Sequence, residues 1–168
     1  AGGNIIAFNI IDACSTAGIN IGATFDNNVI WQNTIYGAET PAGTGILLND
    51  SEVNLIMGNI IYGWTTGISF SANALNNIID YNAWYNNTTN FTLATQGSHD
   101  YCAENSNAVN PGFTNTPATT GDFTIGTGLK AKGFPGAFPG GLSTGYLDMG
   151  AVQRVEPAAG GGGGAWGF

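Results

Sequence analysis

Four asparagines, Asn9, Asn33, Asn59 and Asn82, recur at spacings of 24, 26 and 23 residues. Five positions before each stands another: Asn4, Asn28, Asn54 and Asn77. Between the two lies an apolar pair, Ile5-Ile6, Val29-Ile30, Leu55-Ile56 or Ile78-Ile79. Two residues after the second asparagine comes Ile11, Ile35, Ile61 or Trp84. A further short apolar stretch follows in each repeat, starting at Gly18, Gly45, Gly67 and Asn90. These segments are rich in Ile, Val and aromatics and are bounded by Gly, Asn, Asp and Ser, which is strand and turn chemistry. No window sustains a 3.6-residue period of helix formers. The pattern predicts four stacked coils over residues 4–95, each with two or three short strands: an all-β solenoid of the parallel β-helix kind.

In such a stack each residue sits above its counterpart in the next coil. An asparagine column then has amide donors and acceptors placed to bond along the stack. Asparagine also tolerates the left-handed backbone that a sharp bend needs. The eight asparagines are therefore expected to be structural ladders rather than ligand-binding groups. An insertion at 38–44 lengthens the second coil, and residues 96–107 break the pattern after the fourth. From Asn110 the texture becomes irregular. The chain divides into coils (1–109), a closing region of one or two irregular coils (110–156) and a Gly-rich tail (157–168) that ends in Trp166 and Phe168. Two readings of the tail stand: an unstructured linker, or an assembly arm whose aromatics enter a pocket on a neighbour. The first coil opens within the pattern at Asn4. The chain is thus expected to be processed, to be part of a longer one, or to meet a partner there.

Composition narrows the function. Only 8 % of residues are charged and the net charge is -8, from 11 acids and 3 bases. Clustered Lys and Arg are lacking, so nucleic acid is not expected as a ligand. No apolar run approaches the roughly 20 residues that span a bilayer, so membrane insertion is not expected. Cys14 and Cys102 are too few for a disulfide framework, and they read as two reduced residues or as a single bridge. No cluster has zinc spacing, and neither a metal nor a cofactor is expected.

The columns resemble the right-handed parallel β-helix repeat proteins of the pectate-lyase-like superfamily. The ending strengthens the likeness: NPGF at 110–113, DFTIGTGLKAKG at 122–133 and LDMGAVQ at 147–153 look like the closing motifs of bacterial and bacteriophage members. The resemblance implies a right-handed parallel β-helix. It also implies a choice among polysaccharide lyases, glycoside hydrolases, adhesins and virion components, which fold does not decide.

The residues weigh against catalysis. Residues 1–129 contain no Lys or Arg, which counts against a lyase with a strong base beside Ca²⁺. A hydrolase needs two carboxylates about 5–9.5 Å apart, yet Asp12 and Asp80 fall in different columns. His99, the only histidine, could be a general base beside Asp100, but a lone loop histidine is more often a turn residue. Asp12, Asp80 and His99 stand as weak catalytic candidates. The column Tyr36, Tyr62 and Tyr85, with Trp31, Trp64 and Trp84, fits either a sugar-stacking or subunit surface, or stacked fill. The first expectation is a non-enzymatic structural or adhesive protein. It would be a bacteriophage virion component (capsid decoration or fibre), found in the virion or extracellularly. Its partner would be itself, as a trimer, or another virion or surface-assembly protein. The alternatives are a glycan-binding or glycan-degrading spike and a bacterial surface filament.

Overall fold

The computed structural model describes residues 2–37, 42–114, 122–130, 132–134 and 148–153. Coil 1 supplies β1 (Ile5–Ala7), β2 (Ile10–Asp12) and β3 (Ala17–Ile21). Coil 2 supplies β4 (Val29–Trp31), β5 (Thr34–Tyr36) and β6 (Thr44–Leu48). Coil 3 supplies β7 (Leu55–Met57), β8 (Ile60–Tyr62) and β9 (Thr66–Phe70), and coil 4 β10 (Ile78–Asp80), β11 (Ala83–Tyr85) and β12 (Thr89–Thr92). Three parallel four-stranded sheets result: sheet A in the order β1-β4-β7-β10, sheet B β2-β5-β8-β11 and sheet C β3-β6-β9-β12. The architecture is the expected all-β, right-handed parallel β-helix of about four turns.

In each three-residue strand of sheets A and B the middle residue points inward. Ile30, Ile56, Ile35 and Ile61 are fully buried, and Ile46, Leu48 and Ile68 of sheet C join them. Register places like on like, with Ile30 between Ile6 and Ile56 and Ile35 between Ile11 and Ile61. Burying each such side chain contributes roughly 1.5–3 kcal/mol. Trp64 and Trp84 also lie inside. Room for the two indoles comes from the glycine column: a Cβ on Gly45 would lie 2.7 Å from Ile61 and 3.3 Å from Trp64, and one on Gly67 3.0 Å from Trp84.

The corners correct one expectation. The left-handed residues are not the ladder asparagines but the residues just before them. Before the first column these are Gly3, Asn27, Val53 and Asn76; before the second they are Phe8, Gln32, Gly58 and Tyr81. The bend turns the peptide so that the next asparagine's N–H runs along the stack. That N–H and the side-chain Nδ2 both donate to Oδ1 of the asparagine one coil on. Asn28 bonds Asn54 at 2.9 and 2.8 Å, and Asn33 bonds Asn59 at 2.9 and 3.0 Å. Both ladders keep this polarity throughout, from Asn4 to Asn77 and from Asn9 to Asn82.

The region after coil 4 also differs from expectation. Tyr101 pairs in parallel with Ala83, so Asp100 stands over Asn82 and Cys102 over Trp84, and the loop carries a fragment of a fifth coil. Cys102 is buried in the main core and caps its end. Among the described residues, the segments beyond do not stack as further coils. Ile125, Leu129 and Met149 cover Ile60 and Ala83 on the outer face of sheet B. Farther along, Gly150 donates to Gly58 O (2.8 Å) and Ala151 to Thr34 Oγ1 (3.0 Å). The described segments thus strap the side of the helix, from Ile60 and Ala83 of coils 3 and 4 to Thr34 of coil 2. Cys14 and Cys102 are both free thiols.

Candidate functional site

Asp80 ends β10, and the left-handed Tyr81 (φ 57°) turns the chain immediately after it. Both of the Asp80 oxygens are used locally. Oδ1 accepts the N–H of Tyr81 (3.1 Å) and of His99 (2.8 Å), and Oδ2 meets His99 Nδ1 at 2.8 Å. Ser98 Oγ lies 3.1 Å from the same ring nitrogen. The imidazole stacks on Tyr81, with ring centroids 4.5 Å apart and planes 8° from parallel, and Phe134 meets Tyr81 edge-on. The fold has therefore joined two residues that the sequence shows 19 positions apart. The carboxylate fixes Nδ1 and leaves Nε2 as the ring nitrogen for a proton or a ligand, on a side chain 55 % exposed.

Asp12 does not belong to this group. It ends β2 on sheet B in coil 1, whereas Asp80 lies on sheet A in coil 4. Its Oδ1 accepts the N–H of Ala13 at 2.7 Å. Asp26 and Asp50 likewise hold corners, Asp26 by accepting the Glu52 N–H (2.8 Å) and Asp50 by bonding Ser71. A dyad of carboxylates is not assembled from Asp12 and Asp80. Among the described residues no three His, Cys, Asp or Glu side chains gather as metal ligands would.

Asp100, the acid that the sequence set beside His99, is instead fully buried and bonded to Asn82, Trp84 and Gly97, while His99 pairs with Asp80. Asp100 ends the second ladder. Oδ1 accepts from Asn82 N (2.8 Å) and Nδ2 (3.2 Å), while Oδ2 accepts from Trp84 Nε1 (3.0 Å) and Gly97 N (2.9 Å). Burial pushes its carboxyl above the ordinary carboxylate range, and the donors of Asn82, Gly97 and Trp84 pull part of that rise back. A ladder that donates at every step needs a pure acceptor at its last rung, and a carboxylate is one.

The aromatic residues divide three ways. Trp64 and Trp84 are core, with Trp64 Nε1 donating to Ile35 O (3.2 Å). Tyr36 stacks on Tyr62 at 5.1 Å, and Phe113 and Phe123 of the strap close over the pair. That column is stacked fill under a cover, at least for Tyr36 and Tyr62. Trp31 alone of the tryptophans named for the column lies on the outer face of sheet A, tilted against Phe8 at 5.6 Å. Trp166 and Phe168 lie outside the described residues. No helix among the described residues is long and apolar enough to cross a membrane.

A family model described as periplasmic copper-binding protein (NosD) matches residues 1–125. No curated protein matches the chain, and no solved structure does.

Proposed function

The chain belongs to the NosD family, and from that premise we propose that it is a non-enzymatic structural β-helix protein of the bacterial periplasm or cell surface. The observation that carries this reading is where the polar side chains are engaged. The ladder asparagines bond from coil to coil, Asp100 ends a ladder, and Asp12, Asp26 and Asp50 bond their own corners. The exposed pair of Asp80 and His99 stands apart from these. A single imidazole with its carboxylate supplies neither a paired-acid hydrolase nor a nucleophile with its base.

Copper, which the family's description names, prefers imidazole, thiolate and thioether ligands. The chain has one His, two Cys and two Met. Met149, itself part of the strap, is fully buried against sheet B, and Cys102 is buried in the core with its thiol on Gln96 Oε1 (3.3 Å). Cys14 lies in coil 1 against Asp12 O. Met57 is the one soft donor whose strand neighbour, Asp80, touches His99. Two donors do not make the ligand set of a copper site, so the residues do not fit the metal. Titration of the full chain with Cu(II), and with Cu(I) against a chelator, is expected to show no stoichiometric binding tighter than micromolar. Stoichiometric nanomolar binding would overturn the structural reading.

A second reading, a subunit of a bacteriophage particle or fibre, is favoured by the closing motifs at 110–113, 122–133 and 147–153, which resemble those of bacteriophage as well as bacterial members. Self-association, as a trimer, belongs to both readings, and the low charge of the chain supports it. Electron microscopy of unfractionated native material, with the chain tagged, separates them. Envelope labelling supports the first and fixed symmetric positions on a particle the second, while a free chain that cleaves polysaccharide sinks both.

A further inference from the structure

Sheets A and B are built alike, yet their outer faces meet different fates. On sheet B the outward residues Thr34, Ile60 and Ala83 are fully buried beneath the strap. On sheet A the outward positions are Ile5, Val29, Leu55 and Ile78 in one row and Ala7, Trp31, Met57 and Asp80 in the other. All but Asp80 are apolar. Ile5 is 71 % exposed and Ile78 59 %, and Phe25, Val53 and Leu75 extend the patch along the corner before the sheet. Of the nine exposed large apolar residues among those described, six lie on or beside sheet A. An apolar patch of this kind marks a contact surface.

The patch is too small for a dimer face. Four strands at about 4.8 Å and three residues at about 3.3 Å, widened by the flanking corner, give roughly 400 Å², about half of the ~800 Å² per partner in a standard interface. It matches the area that two aromatic side chains bury, about 150–250 Å² each. The strap shows where such side chains come from, since it already covers sheet B with Phe113 and Phe123. It also leads to the right place. Its last described residue, Gln153, reaches Gln32 Oε1 at 3.5 Å, and Gln32 is the corner between β4 of sheet A and β5 of sheet B. Gln32 is fully buried, and its Nε2 lacks an acceptor among the described residues. The next carbonyl to pass this corner would supply one.

We propose that the chain's own C-terminal segment crosses the Gln32 corner and seats Trp166 and Phe168 on the outer face of sheet A, as the strap seats Phe113 and Phe123 on sheet B. Twelve residues separate Gln153 from Trp166. A Gly-rich chain of that length has a root-mean-square span of about 20 Å, close to the ~19 Å width of four strands. Docking within one chain therefore needs no stretching and proceeds at the millimolar effective concentration of a short linker.

The test uses the full chain with a benzophenone-bearing phenylalanine in place of Phe168. Illumination should crosslink it to residues 5–8, 25–31 or 53–57 of the same chain, with a yield unchanged over a 100-fold dilution. In parallel, Trp166→Ser with Phe168→Ser should raise the binding of an apolar dye several-fold while the far-ultraviolet spectrum stays that of the parent. Crosslinks to sheet C or the strap, no crosslink, unchanged dye binding, or a yield that falls on dilution because the ring sits on a second copy would each overturn the proposal.

Discussion

Replacing Asn59 by alanine should cost about 2–3 kcal/mol, whereas the same change at Asn9 should cost little. Asn59 is fully buried. Its Oδ1 accepts Asn33 N and Nδ2, and its Nδ2 donates to Ile30 O, Met57 O and Asn82 Oδ1. Truncation does not strand all of these partners. Asn33 Nδ2 keeps Ile6 O (2.8 Å), and Asn82 Oδ1 keeps the Asn59 N–H (3.0 Å). The group left without its bond is the Asn33 backbone N–H, and one buried donor without a partner costs about 1–3 kcal/mol; the small void adds to that. Asn9 is exposed and begins its ladder, and its Nδ2 merely donates to Ala7 O and Asn33 Oδ1. Asn59→Asp sharpens the test. It restores the acceptor for Asn33 but turns an oxygen towards Ile30 O, Met57 O and Asn82 Oδ1, so at neutral pH it should be no better than alanine. Urea unfolding of the three variants reads the differences. Equal losses at Asn9 and Asn59, or an Asn59→Asp protein as stable as the parent, would refute a ladder with donor-to-acceptor polarity.

Two further outcomes follow from the corners and the last rung. Val53 is β-branched at φ 57° and half exposed; a left-handed residue of this type carries about 1–2 kcal/mol of strain. Val53→Asn should therefore raise the melting temperature by about 2–4 °C, and a drop would show that its packing outweighs the strain. Asp100 has its folded-state pKa raised above the ordinary 3.8 by burial, so above that value the folded chain holds a proton that the unfolded chain has released. Stability from this group is then fully present below pH 3.8 and is lost as pH rises through the folded pKa. Melting curves of the parent minus those of Asp100→Asn, taken between pH 4 and 8, should show that fall, and a rise with pH would contradict it.

The coils were legible because a stacked architecture writes its register into the sequence. Ile30 must be followed 26 residues later by Ile56, and Asn33 by Asn59, for the core column and the ladder to close. The corner conformation was not legible. Asparagine tolerates a left-handed backbone, but the residues that adopt it here include Phe8, Gln32, Val53 and Tyr81, which nothing in their chemistry announces. The ladder bonds set the bend and the preceding residue accepts it. The place of Asp100 at the end of the ladder was not legible because it stands 18 residues after Asn82 and is not an asparagine. The signal that would have found it is the apolar residue two places on, Cys102, in the column of Ile11, Ile35, Ile61 and Trp84.

The pairing of Asp80 with His99 was hidden for the same reason. A residue at the end of β10 and one in the loop 96–107 share no column, so periodicity could not bring them together; the shortened fifth coil does. In that coil Asp100 takes the rung that Asn82 passes on, 18 residues after it. The loop is then free to turn back at Gly97, whose N–H is held by Asp100 Oδ2 and where a Cβ would strike Ile79 O at 2.2 Å. The turn leaves His99 over Asp80. The exposed acid–base pair is thus a consequence of how the stack ends. Its placement follows from the geometry of the cap, from the Asp100 rung to the turn at Gly97.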